Sequence, residues 1–354
     1  MAHKWLSRWR LILIPAVITL VALVPFDWFL GQYKYLGTVI GLSTMVTVGL
    51  CLFMGYTGQV SLGQAAFYGI GMYFSAVLSS THGLNPWLAM LIAACVTGAA
   101  AFLLGVILRL KGNYLAMATL AVGFVVWKIA VIDDMGYTGG PDGIREIPYL
   151  AIGGFEFDSH FRRYYLVWGI CLVMLLISQF IVNSRIGRAL RAVHGSEEAA
   201  QSLGINVFRF KLKIFVVSAV YASIAGSLFA HHQLHASPGY FEPIDSVYFV
   251  IMAVIGGLAS IWGAIFGAGT VEILRNEILI HYGKWNMVIL GLILMIILIF
   301  MPEGLFVALK NAYHQEGIFF IPKKIWRWSY YCYASIRKIR RLWHSPALNE
   351  ETEP

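Results

Sequence analysis

Between Tyr35 and Leu108 the chain carries no Asp, Glu, Lys or Arg. Apolar runs close to the ~20 residues that cross a hydrocarbon core recur along its length. Hydropathy predicts spans at 11–30, 35–54, 60–80, 86–108, 112–132, 163–183, 212–232, 245–258, 260–280 and 285–307. The run 245–258 is short for an ordinary span. The first run follows "MAHKWLSRWR", which resembles the basic start of a signal peptide. No A-x-A-like cleavage site follows and the run continues past Pro25 to Leu30, so an uncleaved first span is expected. The pattern predicts an all-α polytopic membrane protein with about ten transmembrane segments.

Composition agrees. Of 354 residues 59% are hydrophobic and 12% charged, with a mean hydropathy of +0.71; soluble domains carry about 25% charged residues. The net charge of +8 reports loop orientation and not affinity for nucleic acid. Lys4, Arg8 and Arg10 precede the first span, and Arg109 and Lys111 separate the fourth from the fifth. Six more basic residues (Arg185, Arg188, Arg191, Arg209, Lys211, Lys213) crowd the loop after the sixth, and Lys310 follows the last span. Ten spans with both termini in the cytoplasm place all of these inside. The loop 133–162 then faces out, and it reads as a solvated loop, with a docking surface for an external protein as the lesser reading.

Within the charge-free region, "GYTGQVSLGQAAFYGIGMY" (55–73) is dense in glycine, which costs a helix interior about 1 kcal/mol per position. Glycine allows helices to approach backbone to backbone. It also permits an interrupted helix whose freed polar groups line a cavity. Thr57, Gly58, Gln59, Ser61, Gly63 and Gln64 are therefore candidates for a translocation path. "GGLASIWGAIFGAG" (256–269) has similar chemistry and adds Gly256, Gly257 and Ser260, so the two tracts could mark structural repeats meeting at the path. The competing reading is close-packed helix crossings without specificity. Tyr114 lines the path or packs.

The loop at about 184–211 has a different logic. "SRIGRALRAV" sets Ile186, Leu190 and Val193 at helical spacing, and His194-Gly195 can end that helix. Ser196 is placed to cap a second short helix starting at Glu197, with Gly204 as its left-handed terminator. A helix pair with a small-residue face at Ala199 and Ala200 suits docking into a partner groove; an amphipathic connector lying on headgroups is the alternative.

The spacing Glu198-Ala199-Ala200-x-x-x-Gly204 matches the EAA-x-x-x-G pattern of the coupling loop in ABC-importer permeases. With "GYTGQVSLGQ", "GNYLAMATLAVGF" (112–124), "AGSLFAHH" (225–232) and "VIGGLASIWGAIFGA" (254–268) in the same order, the chain resembles the permease family of branched-chain amino-acid ABC importers over about 35–307. "TGGPDGI" (138–144) likens it to the longer of that family's two permease types. The resemblance implies a type II ABC importer-like fold in a bacterial inner membrane. Two cytoplasmic ATP-binding subunits carrying ATP-Mg, a second and different permease, and a periplasmic substrate-binding protein would be its partners. It implies that Arg185, Gly187, Arg188, Arg191, Glu198, Ala199, Ala200 and Gly204 couple the chain to the ATPases. This chain holds no GxxxxGK[ST] loop, so ATP hydrolysis is expected elsewhere and no cofactor is expected here. The cargo expected is a branched-chain or other small hydrophobic amino acid; urea, short amides or small carboxylates are the alternative within the same family.

Other classes find less support. An ion-coupled carrier needs intramembrane carboxylates or histidines, and the first four spans carry no charged residue near their middle. No nucleophile–base pair supports an enzyme. His231 and His235 are spaced as a metal pair, yet no matching Cys or carboxylate stands nearby, and a helix end at the outer interface explains them. Glu272 and Arg275 read as an i,i+3 surface pair, and Lys128 as an interfacial anchor. Residues 1–309 form the expected permease domain and 310–354 a tail. The tail's Lys and Arg alternate with aromatics, which suits the anionic inner leaflet or an ATPase contact, before a disordered "NEETEP".

Overall fold

The structure, a computed structural model, describes residues 34–278 except 111, 135, 153 and 259, together with 288, 289, 291, 292 and 295. The expected span at 11–30, the span at 285–307 except for those last five residues, and the tail 310–354 lie outside the described residues. These residues fall within the first of two units of the chain, Met1–Val307 and Ala308–Pro354.

Helix α1 (Lys34–Leu50) continues as a π-helical turn, Cys51–Gly55. After a stretch without regular structure at 58–63 come α2 (Gln64–Ser80), α3 (Pro86–Leu104, tightening to a 3-10 turn Gly105–Arg109) and α4 (Asn113–Ile132). Three two-residue strands follow, β1 (Ile144–Arg145), β2 (Ala151–Ile152) and β3 (Phe155–Glu156). Helix α5 (His160–Asn183) leads to the short pair α6 (Arg185–Gly195) and α7 (Glu197–Ser202), then α8 (Val207–Gln233). Strand β4 (His235–Ala236), α9 (Pro243–Gly256) and α10 (Gly263–Ile273, ending in a π turn Leu274–Ile278) complete the set. Among the described residues six helices are long and apolar enough to cross a membrane. The protein is a mostly helical, multi-pass membrane protein.

Local chemistry sets several boundaries. The Asn85 side chain accepts from Trp87 N with Pro86 at the first helical position, and Ser159 accepts from Phe161 N. Both satisfy orphan amides at helix starts. Leu234, at φ 58°, stops α8 in the left-handed region.

Helix α8 is the centre of the bundle, packed against α1, α2 and α3. Its approach to α2 is backbone to backbone: a Cβ built on Gly226 would stand 2.0 Å from Tyr68 O, and one on Gly71 2.2 Å from Ser223 O. Small residues make that distance possible. Around them Phe215 sits with Phe53 (ring centroids 5.3 Å) and Phe67 (5.5 Å).

Two expectations are corrected. The loop 133–162 is more than solvated chain: β1 pairs antiparallel with β4, β2 with β3, and Ile147 and Leu150 are buried, which gives the segment an apolar anchor. Arg275 pairs not with Glu272 but with Asp245, 3.0 Å away on α9. Glu272 is buried and accepts from Ser43 Oγ (2.6 Å) and Asn276 Nδ2 (2.8 Å), joining α10 to α1. The histidines stand at a helix end: α8 stops at Gln233, so His231 and His235 do not share a helix face. His231 spans Ser75 Oγ (2.9 Å) and Pro148 O (2.8 Å), while His235 contacts Asp142 O. No group of metal-binding residues occurs among the described residues.

Candidate functional site

The glycine-rich tract forms a real interruption. Gly58 lies at φ +71°, a conformation that L side chains rarely adopt, and its amide closes on Met54 O (3.0 Å). From there the chain runs without helix to Gly63. The backbone and side chains freed by the break are met from three other helices. Leu62 N donates to Thr119 Oγ1 of α4 (2.9 Å), Gln64 Nε2 to Ser218 Oγ of α8 (2.9 Å), and Ala65 N to Ser246 Oγ of α9 (2.9 Å). Ser218 is eleven residues into α8, about 17 Å along it. The start of α2 is thus held deep in the bundle.

Helix α9 also begins there. Its first turn holds Asp245 and Ser246, and the Phe241 ring ahead of it packs under Gly69, where a Cβ would come within 2.3 Å. The N-termini of α2 and α9 therefore meet through Ala65 and Ser246. Both carry the partial positive charge of unsatisfied amides. Beside them Gln59 Oε1, Ser61 Oγ and Gln64 Oε1 are buried with no hydrogen-bond partner among the described residues. Such groups each cost about 1–3 kcal/mol if left so. Polar oxygens collected where helices are interrupted fit a passage for a polar solute.

Of the expected path residues, Gln59, Ser61, Gly63 and Gln64 gather here, with Gly63 close enough to α4 that a Cβ would stand 3.0 Å from Thr119 O. Thr57 turns back onto Phe53 O (2.7 Å) within the preceding helical turn. Tyr114, 74% exposed, lies outside this gathering. Gly256, Gly257 and Ser260 belong instead to the tight turn between α9 and α10. A Cβ on Gly256 would stand 2.2 Å from Gly263 O, and one on Gly267 1.9 Å from Met252 O. There the glycines serve close packing, and the segment facing the first break is the start of α9. Sequence reading did not single out Thr119, Ser218 or Ser246; a lone hydroxyl far along the chain gives no pattern to find.

The second constellation is the helix pair. Gly187 packs α6 onto the end of α5, where a Cβ would stand 2.0 Å from Val182 O. Ser184 and Ser196 cap α6 and α7 by accepting from Ile186 N and Ala199 N. Gly204, at φ +78°, ends α7, and Ile205 N reaches back to Ala200 O (3.0 Å), the six-to-one bond of a Schellman ending. Ala200 is buried against Val193 and Val207 in a small apolar cluster of its own. Glu198, Ala199, Arg185, Arg188 and Arg191 face outward, and Leu203 is 79% exposed. An apolar tip beside basic side chains is the kind of surface that enters a partner's groove. The Lys211 ammonium meets Glu197 at 2.5 Å, and the pair binds α7 to α8. His194, at the end of α6, lies beside the first break: a Cβ on Gly58 would stand 3.2 Å from its Cδ2.

Residues 33–298 match the family described as "Branched-chain amino acid transport system / permease component". The chain is 32% identical over 314 residues to the high-affinity branched-chain amino acid transport system permease protein LivM of Escherichia coli, covering 82% of this chain and 73% of that protein. To LivM of Salmonella typhimurium it is 31% identical with the same coverage. Similarity extends to the E. coli permease protein LivH of the same system, at 27% over 306 residues, 79% of this chain and 96% of LivH. No solved structure matches.

Proposed function

Because the chain belongs to the permease-component family of branched-chain amino acid transport systems, we propose that it is one membrane subunit of an ATP-driven importer for branched-chain or other small hydrophobic amino acids. Similarity to both LivM and LivH supports pairing with a second, different permease, and the greater likeness to LivM supports the longer of the two types. Two cytoplasmic ATP-binding subunits carrying ATP-Mg and a periplasmic binding protein complete the assembly. The chain crosses the bacterial inner membrane about ten times with both termini in the cytoplasm, which sets the helix pair α6–α7 inside and the β1–β4 loops outside.

In this reading Leu203, Glu198, Ala199 and the basic residues Arg185, Arg188 and Arg191 form the surface that ATPase subunits grip. The break at 58–63, with its oxygens beside the starts of α2 and α9, lines the path. Selectivity rests chiefly with the binding protein, and the path needs only weak polar contacts. The observation that carries the reading is a capped helix pair of the EAA type set directly before α8, the helix whose Ser218 holds Gln64 at the glycine-rich break.

The test is uptake into liposomes by the full complex. Leucine, isoleucine and valine should enter only with ATP and binding protein, with urea and short amides excluded. Replacing Leu203 with Glu should release the ATPases while leaving the permease inserted. Solute flux through this chain alone without ATP would overturn the importer reading, and preferential uptake of urea would overturn the cargo.

A further inference from the structure

Lys211 is 3% exposed, and a buried ammonium needs a close counter-charge. It finds Glu197 at 2.5 Å, on a helix of six residues. Apart from this pair, α7 is joined to α8 by the short turn 203–206 and by a small apolar cluster in which Ala200 of α7 meets Val207 of α8 and Val193 of α6. So small an apolar contact is non-directional and can slide; an ion pair fixes one point on each helix. Lys211 also stands on the same face of α8 as Ser218, seven residues and two turns on, about 10 Å along the helix. Ser218 accepts from Gln64, and above it Gly71 and Gly226 leave α2 and α8 in backbone contact. Helix α8 cannot shift along its axis without carrying the start of α2 with it.

We propose that the Glu197–Lys211 ion pair is the tie by which movement of the helix pair α6–α7 is passed to α8, and through Ser218 and Gln64 to the glycine-rich break. Glu197 and Lys211 are positioning residues: neither touches solute. His194 of α6 lies beside Gly58, where a Cβ would stand 3.2 Å from its Cδ2, so the helix pair also borders the break directly. The proposal rests on the reading of α6–α7 as the ATPase-facing surface.

The experiment uses the complete reconstituted importer and measures leucine transported per ATP hydrolysed. Lys211→Met keeps the buried stem and removes the charge; Glu197→Gln keeps the shape of a side chain that is 32% exposed. Both should assemble and retain ATPase activity within about twofold, while transport per ATP falls by roughly tenfold, the scale of an ordinary coupling energy. The reversed pair, Glu197→Lys with Lys211→Glu, should recover most of that ratio. A purely structural pair would instead lower assembly and leave the ratio unchanged. Normal transport per ATP in Glu197→Gln, or a reversed pair that assembles without recovering the ratio, overturns the proposal even if Lys211→Met fails to fold. Leu203→Glu, measured alongside, separates the two ideas. If it still binds ATPase and transports normally, the docking surface is wrong; if it releases ATPase while Glu197→Gln is silent, only the tie is wrong.

Discussion

Gly226 and the carbonyl of Tyr68 leave no room for a carbon between α8 and α2: a Cβ at position 226 would stand 2.0 Å from that oxygen. Helices this close are held by dispersion and by hydroxyl contacts such as Ser227 Oγ to Gly71 O (2.9 Å), since lipid offers no hydrophobic drive for helix pairing. Gly226→Val should therefore separate the two helices, at a cost above the 1–3 kcal/mol usual for overpacking. Gly98→Ala, whose nearest neighbour would be a valine methyl at 3.4 Å, should be nearly silent. Thermal unfolding in detergent, followed by size-exclusion chromatography, compares them. Equal midpoints for the two variants would refute the close approach.

Asp245 and Arg275 make the second comparison. The Asp245 side chain is 9% exposed and that of Arg275 40%, so the two members of the pair do not suffer equally when the other is lost. Arg275→Leu strands a carboxylate at the buried start of α9, where breaking a pair costs about 3–5 kcal/mol. Asp245→Leu leaves a guanidinium that can still reach polar surroundings and that lies over the Tyr248 ring, 4.8 Å from its centroid. The expected order of thermal midpoints is parent, then the double variant and Asp245→Leu, with Arg275→Leu lowest. A double variant less stable than Arg275→Leu would refute the penalty of a stranded Asp245 carboxylate.

In the helix pair, Ala200 and Gly204 are separable despite belonging to one motif. Ala200 is buried between Val193 and Val207, so Ala200→Leu should unseat α7. Nothing lies within 4 Å of a Cβ on Gly204, and its constraint is the backbone alone, at φ +78°. Gly204→Asn should then be tolerated, Gly204→Ala should cost about 1 kcal/mol, and Gly204→Val more. ATPase capture by each variant reads this out. Loss of capture in Gly204→Asn equal to that in Gly204→Val would mean that the position serves contact with a partner and not turn geometry.

The features legible in the chain were those written locally. Apolar length marked α1, α3, α4, α5 and α8, because a helix that crosses a hydrocarbon core must be apolar along a whole run of residues. The caps at Ser196 and Gly204 were legible because each acts on amides or dihedrals within a few positions. What joins the break to the bundle was not. Gln64 meets Ser218 across 154 residues and Ala65 meets Ser246 across 181, through single hydroxyls that look like any other serine in a membrane helix. For the same reason the second glycine tract suggested a partner for the first. Glycine content records that something comes close, and here that something was the neighbouring helix α10, while the start of α9 faced the break. Arg275 chose Asp245, 30 residues away, over its helical neighbour Glu272, whose carboxylate is already bound to Ser43 and Asn276.

The loop that follows α4 carries a dependence on pH. Asp133 ends α4 at φ 52°, and its carboxylate accepts from Thr138 N at 2.8 Å. Hydrogen bonds from Thr138 first, and from Gly139 and Tyr137, hold this carboxyl below its ordinary value of 3.8. A lowered value in the folded chain means that the unfolded loop binds the proton more readily. The contribution to loop order is therefore complete above the ordinary value and is lost as pH falls below it through the folded one. Hydrogen exchange at the Thr138 amide should be slow and steady from pH 7 down to about 5, after correction for intrinsic rates, and should quicken relative to that baseline below about pH 4. Asp133→Asn should exchange faster throughout and show no such step. The same step appearing in Asp133→Asn would assign it to another carboxylate of the loop.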